Sequence, residues 1–461
     1  MNTQQKIKHY CGVAGIYSKN PLNIPNKLFY LLFALQHRGQ ESAGVAYVKD
    51  GHILCYKDLG LVSKVLSRYL HKEILSNVGI GHVRYSADDG NKVENSQPLH
   101  VNCNKGEIAI ANNGSITNAK EIRDALQAEG AIFQTTSDTE LILHILSRVK
   151  ATSMKEALCE VLAKITGAFS MVLIYNGSLI AVRDPHGYHP LYLGTKDDTH
   201  VVVSETCALD TMGIKEFREI KPGEMVIINE NGVSSHFYAP GHICQQCIFE
   251  FVYFARPDSE IFGQSVYHVR QKMGAALARQ DKGLNPDIVI SVPESGNIAA
   301  FGYAKEAKIP FEMGLTRNFY AGRSFIMPTT EERRHAVKLK LNANHAVLKD
   351  KKVVVVDDSL VRGTTSKIII NILREAGAKE IHFRLSSPEL HYPCYYGTDI
   401  PTYDELISNS QTPDEIAKTI GADSVKFLPL SEMKKCVELP ENYCYACFDG
   451  THHALKNGST K

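Results

Sequence analysis

Between residues 353 and 385 the spacing of apolar positions changes twice. Val353 to Val356 form an unbroken apolar run, the pattern of a strand buried on both faces of a parallel sheet. Ile369, Ile372, Leu373 and Ala376 then recur at i, i+3, i+4 and i+7 ahead of Gly377, which predicts an amphipathic helix with a glycine just past its end. Ile381, Phe383 and Leu385 alternate as a second strand, and a helical crossover between two such strands implies parallel pairing. A second unit of this kind lies upstream: a strand over Ile288 to Val292, a tight turn over Pro293 to Gly296, and a helix over Ile298 to Ala307. Nearer the N-terminus, Leu141, Ile142, Ile145 and Leu146 mark a helix that Ser137 and Glu140 are spaced to open as a capping box. Ala239-Pro240-Gly241 interrupts the patterned regions, so a first domain is expected to end at residue 240 and a second to span 241–461.

The chemistry sits at the ends of these elements. Asp357 and Asp358 follow the valine run, at the edge where open α/β sheets bind ligands. Gly363, Thr364, Thr365 and Ser366 supply backbone N–H groups and hydroxyls at the start of the next helix, a combination suited to a phosphate dianion. Either half alone reads as an acidic strand end or a capped helix; together they point to a phosphorylated sugar. Ser295 lies in the Pro-Glu-Ser-Gly turn of the upstream unit, which is otherwise only a turn. Residues 331–352 hold a local excess of Lys, Arg and His, and Arg323, Arg333, Lys338 and Lys340 read as a lid over phosphates rather than as a solvated loop.

Composition limits the alternatives. The chain has 461 residues, enough for two or three domains, is 44% hydrophobic, and contains no apolar run long enough to span a bilayer. A formal net charge of +1 argues against a generally basic nucleic-acid binder, so neither nucleic acid nor membrane is expected as a partner. Eleven cysteines without an N-terminal apolar signal core indicate a reducing, cytoplasmic setting, where thiols serve as nucleophiles or ligands. Cys444 and Cys447 form one C-x-x-C pair and Cys244 and Cys247 another, while Cys394 stands in a Tyr-Pro-Cys-Tyr-Tyr context. Taken alone, these pairs suit zinc, iron–sulfur or redox sites.

Cys11 begins an apolar strand after ten mostly polar residues. A buried strand cysteine is the plain reading. If the preceding residues were removed, its thiol would be a nucleophile and its own α-amine, with a pKa of about 8, the base. His37-Arg38-Gly39-Gln40-Glu41-Ser42, the Gly81–Ser86 segment, Asn112-Asn113-Gly114 and Ser137-Asp138-Thr139-Glu140 lie downstream in that order.

This order of segments resembles the class II glutamine amidotransferase domain, and the 357–366 segment resembles the phosphoribosyl diphosphate (PRPP) fingerprint of type I phosphoribosyltransferases. The whole chain after residue 10 resembles the amidophosphoribosyltransferase (glutamine PRPP amidotransferase) family, in its iron–sulfur and propeptide-containing form. The resemblance implies an α+β N-terminal nucleophile hydrolase αββα sandwich followed by an α/β type I phosphoribosyltransferase domain, after a propeptide of residues 1–10. It implies that Cys11 attacks the glutamine amide carbon, that Asn113 and the Gly114 N–H form the oxyanion hole, and that Arg84 and Asp138 bind the substrate's carboxylate and ammonium. It further implies that Asp357, Asp358, Arg362, Gly363, Thr364, Thr365, Ser366, Arg323 and Lys340 bind PRPP, with Ser295, Asp357 and Asp358 at Mg²⁺. The ligand contexts of a 4Fe–4S cluster correspond to Cys247, Cys394, Cys444 and Cys447, leaving Cys244 outside the set. The expected activity transfers glutamine nitrogen to C1 of PRPP, giving 5-phosphoribosylamine, glutamate and diphosphate, the first committed step of purine nucleotide synthesis. A homotetramer inhibited by AMP- and GMP-type nucleotides is the family expectation.

The chain departs from the family pattern at a few positions. His189 stands where arginine is common, Asn112 and Ser115 flank the Asn-Gly pair where His and Asn are more frequent, and Ala87, Asp88 and Asp89 replace a more neutral stretch. His189, Asn112 and Ser115 are expected to bear on domain packing or glutamine affinity. Another class II amidotransferase would lack the C-terminal half. A PRPP-sensing regulator would have no use for Cys11, Arg84, Asn113 and Asp138 together, and a zinc-stabilised salvage phosphoribosyltransferase would not depend on glutamine.

Overall fold

The computed structural model describes residues 11–85, 92–318 and 340–452. Its first half stacks two antiparallel sheets. One has seven strands in the order β11-β9-β10-β1-β4-β2-β3, formed by β1 (Gly12–Asn23), β2 (Ser42–Lys49), β3 (His52–Leu59), β4 (Leu75–Arg84), β9 (Tyr192–Lys196), β10 (Thr199–Val203) and β11 (Glu216–Glu219). The other has six in the order β13-β12-β8-β7-β6-β5, formed by β5 (Leu99–Cys103), β6 (Gly106–Ile116), β7 (Gly167–Tyr175), β8 (Ser178–Arg183), β12 (Glu224–Asn229) and β13 (Gly232–Phe237). Val13, Tyr17 and Ile80 of the first sheet meet Ala111, Val172 and Ile174 of the second in the central layer. Ala14 and Ile16 point the other way, against helix α1 (Ile24–Ala34), so β1 is apolar on both faces and reads as a continuous run. Helices Thr139–Arg148 and Met154–Leu162 cover the outer face of the second sheet. This is the αββα sandwich expected.

Helix α1 buries Leu28, Leu31 and Leu32 at helical spacing, with proline in its first turn, and passes the chain to a 3₁₀ turn over Gln36–Arg38. That turn carries the charged side chain of Arg38 into the interior.

The second half is built on a parallel sheet in the order β14-β15-β16-β17, formed by β14 (Ile288–Ser291), β15 (Lys352–Asp357), β16 (Glu380–Leu385) and β17 (Ser424–Phe427). Val353 pairs with Ile288 on one side and Ile381 on the other. The valine run divides by parity. Val354 and Val356 face Val269, Met273, Ala299 and Tyr303, while Val353 and Val355 face Ile369, Leu373 and Ile416. Each fully buried valine contributes roughly 1.5–3 kcal/mol, so neither face of this strand tolerates a polar substitution. The C-terminal segment returns to the junction of the halves, where Gln246–Cys247 pairs in parallel with Tyr443–Cys444. Among the described residues no helix is long and apolar enough to cross a membrane.

The capping box predicted at Ser137 and Glu140 does not form. The N-cap is Asp138, and the Glu140 carboxylate instead accepts the N–H groups of Gln134 and Thr135 at 2.9 and 2.8 Å. Those donors come from a loop with its own buried polar groups to satisfy, and they outcompete the helix start. True capping boxes occur at Ser153 with Glu156 and at Thr412 with Glu415.

Candidate active sites

Cys11 lies fully buried at the head of β1. Its main-chain N–H donates to Asn113 Oδ1 at 3.0 Å, and its carbonyl accepts from Arg38 Nε at 3.0 Å. Asn113 comes from the middle of β6, whose next residue, Gly114, has φ +142°; a Cβ there would lie 2.1 Å from the Ala168 carbonyl oxygen on β7. Only glycine fits that register. With its oxygen engaged by Cys11, Asn113 has its buried Nδ2 group without a hydrogen-bond partner among the described residues.

Burial pushes the Cys11 thiol up to about 12, while the backbone of Tyr85 and the charge of Arg84 pull the other way. Glu41 and Asp138 add negative potential at the same sulfur. The sequence-predicted Arg84 and Asp138 are therefore both within electrostatic reach of the thiol. Arg84 ends β4, paired with Ser42 of β2, and is buried. Asp138 Oδ2 accepts the N–H of Ile116, the last residue of β6, at 2.8 Å, which ties the start of helix Thr139–Arg148 to the strand bearing Asn113 and Gly114. Asn112 is buried beside them, its amide N–H held by Gln97 Oε1 at 2.7 Å.

The second candidate site lies at the C-terminal edge of the parallel sheet. Asp357 ends β15, and its Oδ1 accepts the N–H of Asp358 at 2.9 Å. Burial and the Asp358 charge push Asp357 well above the carboxylate range. Asp358 is raised by burial, against hydrogen bonds from Ser295 and Ser359 and the positive charge of Arg270. Ser295, from the turn after β14, is thereby brought to the acidic pair. Gly363, with φ +73°, caps helix Thr364–Glu375, whose first turn presents Thr364, Thr365 and Ser366. The Arg362 guanidinium turns outward to Glu405, with Nε 2.9 Å from Oε2, and the carbonyl of Lys340 accepts the N–H of Asn318 at 2.7 Å. Arg323, Arg333 and Lys338, like Ala87 to Asp89, lie outside the described residues.

The four cysteines singled out converge. Cys247 and Cys444 are register partners, and Cys447 is pushed well up by burial and by Cys444, Cys394 and Cys247 together. Cys444 is raised by burial and by Cys247 and Cys394. Cys244 is raised by burial, and its charged surroundings are Arg183, Glu219 and Asp184 rather than this group. Among the described residues no set of three or more His, Cys, Asp or Glu side chains closes on a single metal ion.

Sequence reasoning missed Glu205, Glu250 and Arg270 and gave Arg38 no role. Glu250 is the lone acid between Ile248 and Ala255, an otherwise apolar run. A carboxylate in such a run is either exposed or paired, and that was the available signal.

The glutamine amidotransferase domain family matches residues 82–211, and the phosphoribosyl transferase domain family matches residues 267–386. Amidophosphoribosyltransferase of Methanocaldococcus jannaschii is 43% identical over 459 residues, covering 96% of this chain and 97% of the relative. Its Bacillus subtilis namesake is 40% identical over 452 residues, covering 97% and 94%. The structure of glutamine PRPP amidotransferase from B. subtilis, complexed with ADP and GMP, superposes with a TM-score of 0.90 at 39% identity over 98% of this chain and 99% of that one.

Proposed function

The chain belongs to the amidophosphoribosyltransferase family, which carries out the first committed step of purine nucleotide synthesis, and we propose that Cys11 is its glutaminase nucleophile and the Asp357–Asp358 pair its PRPP anchor. The observation that carries the reading is the Cys11–Asn113 hydrogen bond, which fixes Asn113, whose buried Nδ2 has no other partner among the described residues, against the residue that bears the buried thiol.

In this reading residues 1–10 are removed and Cys11 becomes the N-terminus. Its amine takes the thiol proton as sulfur attacks the glutamine amide carbon. Asn113 Nδ2 and the Gly114 N–H stabilise the oxyanion, ammonia departs with the proton, and water hydrolyses the glutamyl thioester. Arg84 holds the substrate carboxylate and Asp138 its ammonium. At the second site ammonia bonds to ribose C1 as the bond from C1 to the diphosphate oxygen breaks. Gly363, Thr364, Thr365 and Ser366 bind the 5-phosphate at a helix N-terminus. Asp357 and Asp358 face the ribose, where their negative charge favours the cationic character developing at C1.

The mutual repulsion of Asp357 and Asp358 fits a cation between them. Mg²⁺ would be held by Asp357, Asp358 and Ser295, and when bound supplies charge neutralisation for the diphosphate leaving group. The Cys444 and Cys447 thiols, raised by burial and by the neighbouring Cys247 and Cys394, fit a shared cationic group. A 4Fe–4S cluster on Cys247, Cys394, Cys444 and Cys447 would tie the junction to the tail and serve structure, since neither reaction moves electrons. Feedback by purine nucleotides, a homotetramer and a cytoplasmic location belong to the same proposal; the solved relative holds ADP and GMP.

The test is intact mass after treatment with an electrophilic glutamine analogue. The reading requires a chain beginning at Cys11 with one adduct on that residue; an adduct elsewhere contradicts it.

A further inference from the structure

Two glutamates cross between the halves in opposite directions. Glu205, just after β10, accepts the N–H of Arg256 at 2.9 Å and the hydroxyl of Ser259 at 2.8 Å. Glu250 opens a five-residue stretch of π-helix, Glu250–Phe254, and reaches back: Oε1 takes Arg38 Nη2 at 2.7 Å and Oε2 takes Nη1 at 3.0 Å. Arg38 thus grips both glutamates and directs its remaining Nε to the Cys11 carbonyl. The side chains of Arg38, Glu205 and Glu250 have no solvent exposure. The same Oε1 of Glu250 faces His189 Nδ1 at 3.5 Å, and His189 Nε2 bonds the Tyr396 carbonyl at 2.9 Å. The carbonyls of the same stretch reach the second site, because Phe251 and Ala255 accept from Arg270 at 2.6 and 2.9 Å, and Arg270 is the positive charge acting on Asp358.

We propose that Glu250 is a positioning residue for the glutaminase reaction, supplied by the PRPP-binding half and acting through Arg38 on the carbonyl of Cys11. The proposal rests on Cys11 being the nucleophile. A freed N-terminal residue keeps a single covalent tether and tends to fray. Two hydrogen bonds oppose that here, one on the nitrogen from Asn113 and one on the carbonyl from Arg38. The second is only as fixed as the guanidinium plane. Glu205 alone leaves that plane able to pivot, and the bidentate contact from Glu250 fixes it. Displacement of a reacting atom by about 1 Å can cost on the order of 100-fold in rate. His189 faces the same Glu250 oxygen that Arg38 Nη2 engages and connects Glu250 to the segment carrying Cys394.

A purely structural ion cluster would lower both activities together when broken. A positioning role separates them. In the processed, cluster-loaded, full-length enzyme, Glu250→Gln is expected to lower kcat with glutamine about 10- to 100-fold while leaving KM for glutamine and the ammonia-dependent rate within about twofold. His189→Gln, which keeps a donor toward the Tyr396 carbonyl, is expected to give a smaller fall in the same kcat and decides the question if Glu250→Gln does not fold. An unchanged glutamine kcat, or a parallel fall in the ammonia-dependent rate, overturns the proposal. Cys11→Ala run alongside separates the two claims: if that variant still uses glutamine the nucleophile assignment fails, whatever Glu250→Gln does.

Discussion

The Asn113 side-chain oxygen accepts the Cys11 main-chain N–H at 3.0 Å, joining residues 102 positions apart and leaving the buried Asn113 Nδ2 without a partner among the described residues. An oxyanion donor works only if it is oriented before charge develops. Asn113→Ala is therefore expected to lower glutamine kcat about 10²- to 10³-fold with ammonia-dependent synthesis retained, as steady-state kinetics with each nitrogen source will show.

Gly114→Ala should be more damaging. The added methyl meets the Ala168 carbonyl oxygen at 2.1 Å in a backbone conformation with φ +142° that other residues rarely adopt. The strain is worth about 1–3 kcal/mol, and β6 must move away from β7 to relieve it. A lowered thermal midpoint together with lost glutaminase activity is expected; a wild-type midpoint would show that the strand register yields easily.

Burial and the Asp358 charge raise Asp357 above its ordinary range, which favours a proton on the acidic pair when no cation is bound. The ionised pair is the form that attracts a cation. Binding of Mg²⁺ with PRPP should thus release protons and tighten as pH rises through the raised pKa, the sign being that of a carboxylate whose charged form is favoured by ligand. Titration calorimetry in buffers of different ionisation enthalpy measures the release, and Asp357→Asn should abolish most of it. No proton release from the parent enzyme would contradict the assignment.

Glu205 and Glu250 are held below the usual carboxylate range, chiefly by Arg38 and the adjacent histidines acting against burial. Their contribution to stability is full above the unfolded pKa of about 4.3 and is lost as pH falls through the depressed folded values. Thermal midpoints should drop steeply on acidification below that point, with a shallower slope in Glu205→Gln.

With the proposed cluster on these four cysteines, Cys444→Ser should yield colourless, poorly folded protein, since losing one ligand would forfeit binding energy that would support the fold. Cys244→Ser, whose thiol sits apart beside Arg183 and Glu219, should retain the absorbance of the cluster. Metal analysis finding zinc in place of iron and sulfide would change the ligand chemistry assigned to the tail.

Local motifs were legible in the sequence because their parts are adjacent: the Asp357–Ser366 segment joins its own strand end to the next helix start, and Ser295 sits in the turn of a second such unit. Cys11, Asn113 and Asp138 were reached by resemblance of context, and the packing of the two sheets, with the Cys11–Asn113 and Ile116–Asp138 hydrogen bonds, brings them together. Arg38 and Glu250 could not be paired from the sequence, because 212 positions separate them and nothing local at either fixes the other. The Ser137–Glu140 box failed for a different reason, since the nearby Gln134 and Thr135 N–H groups supplied Glu140 with partners outside the motif.

The most direct measurement compares glutamine- and ammonia-dependent phosphoribosylamine formation by Cys11→Ala. Nitrogen release and ribosyl transfer belong to separate halves, so glutamine-dependent formation should fall to background while ammonia-dependent formation persists. Glutamine use surviving in that variant would contradict the account.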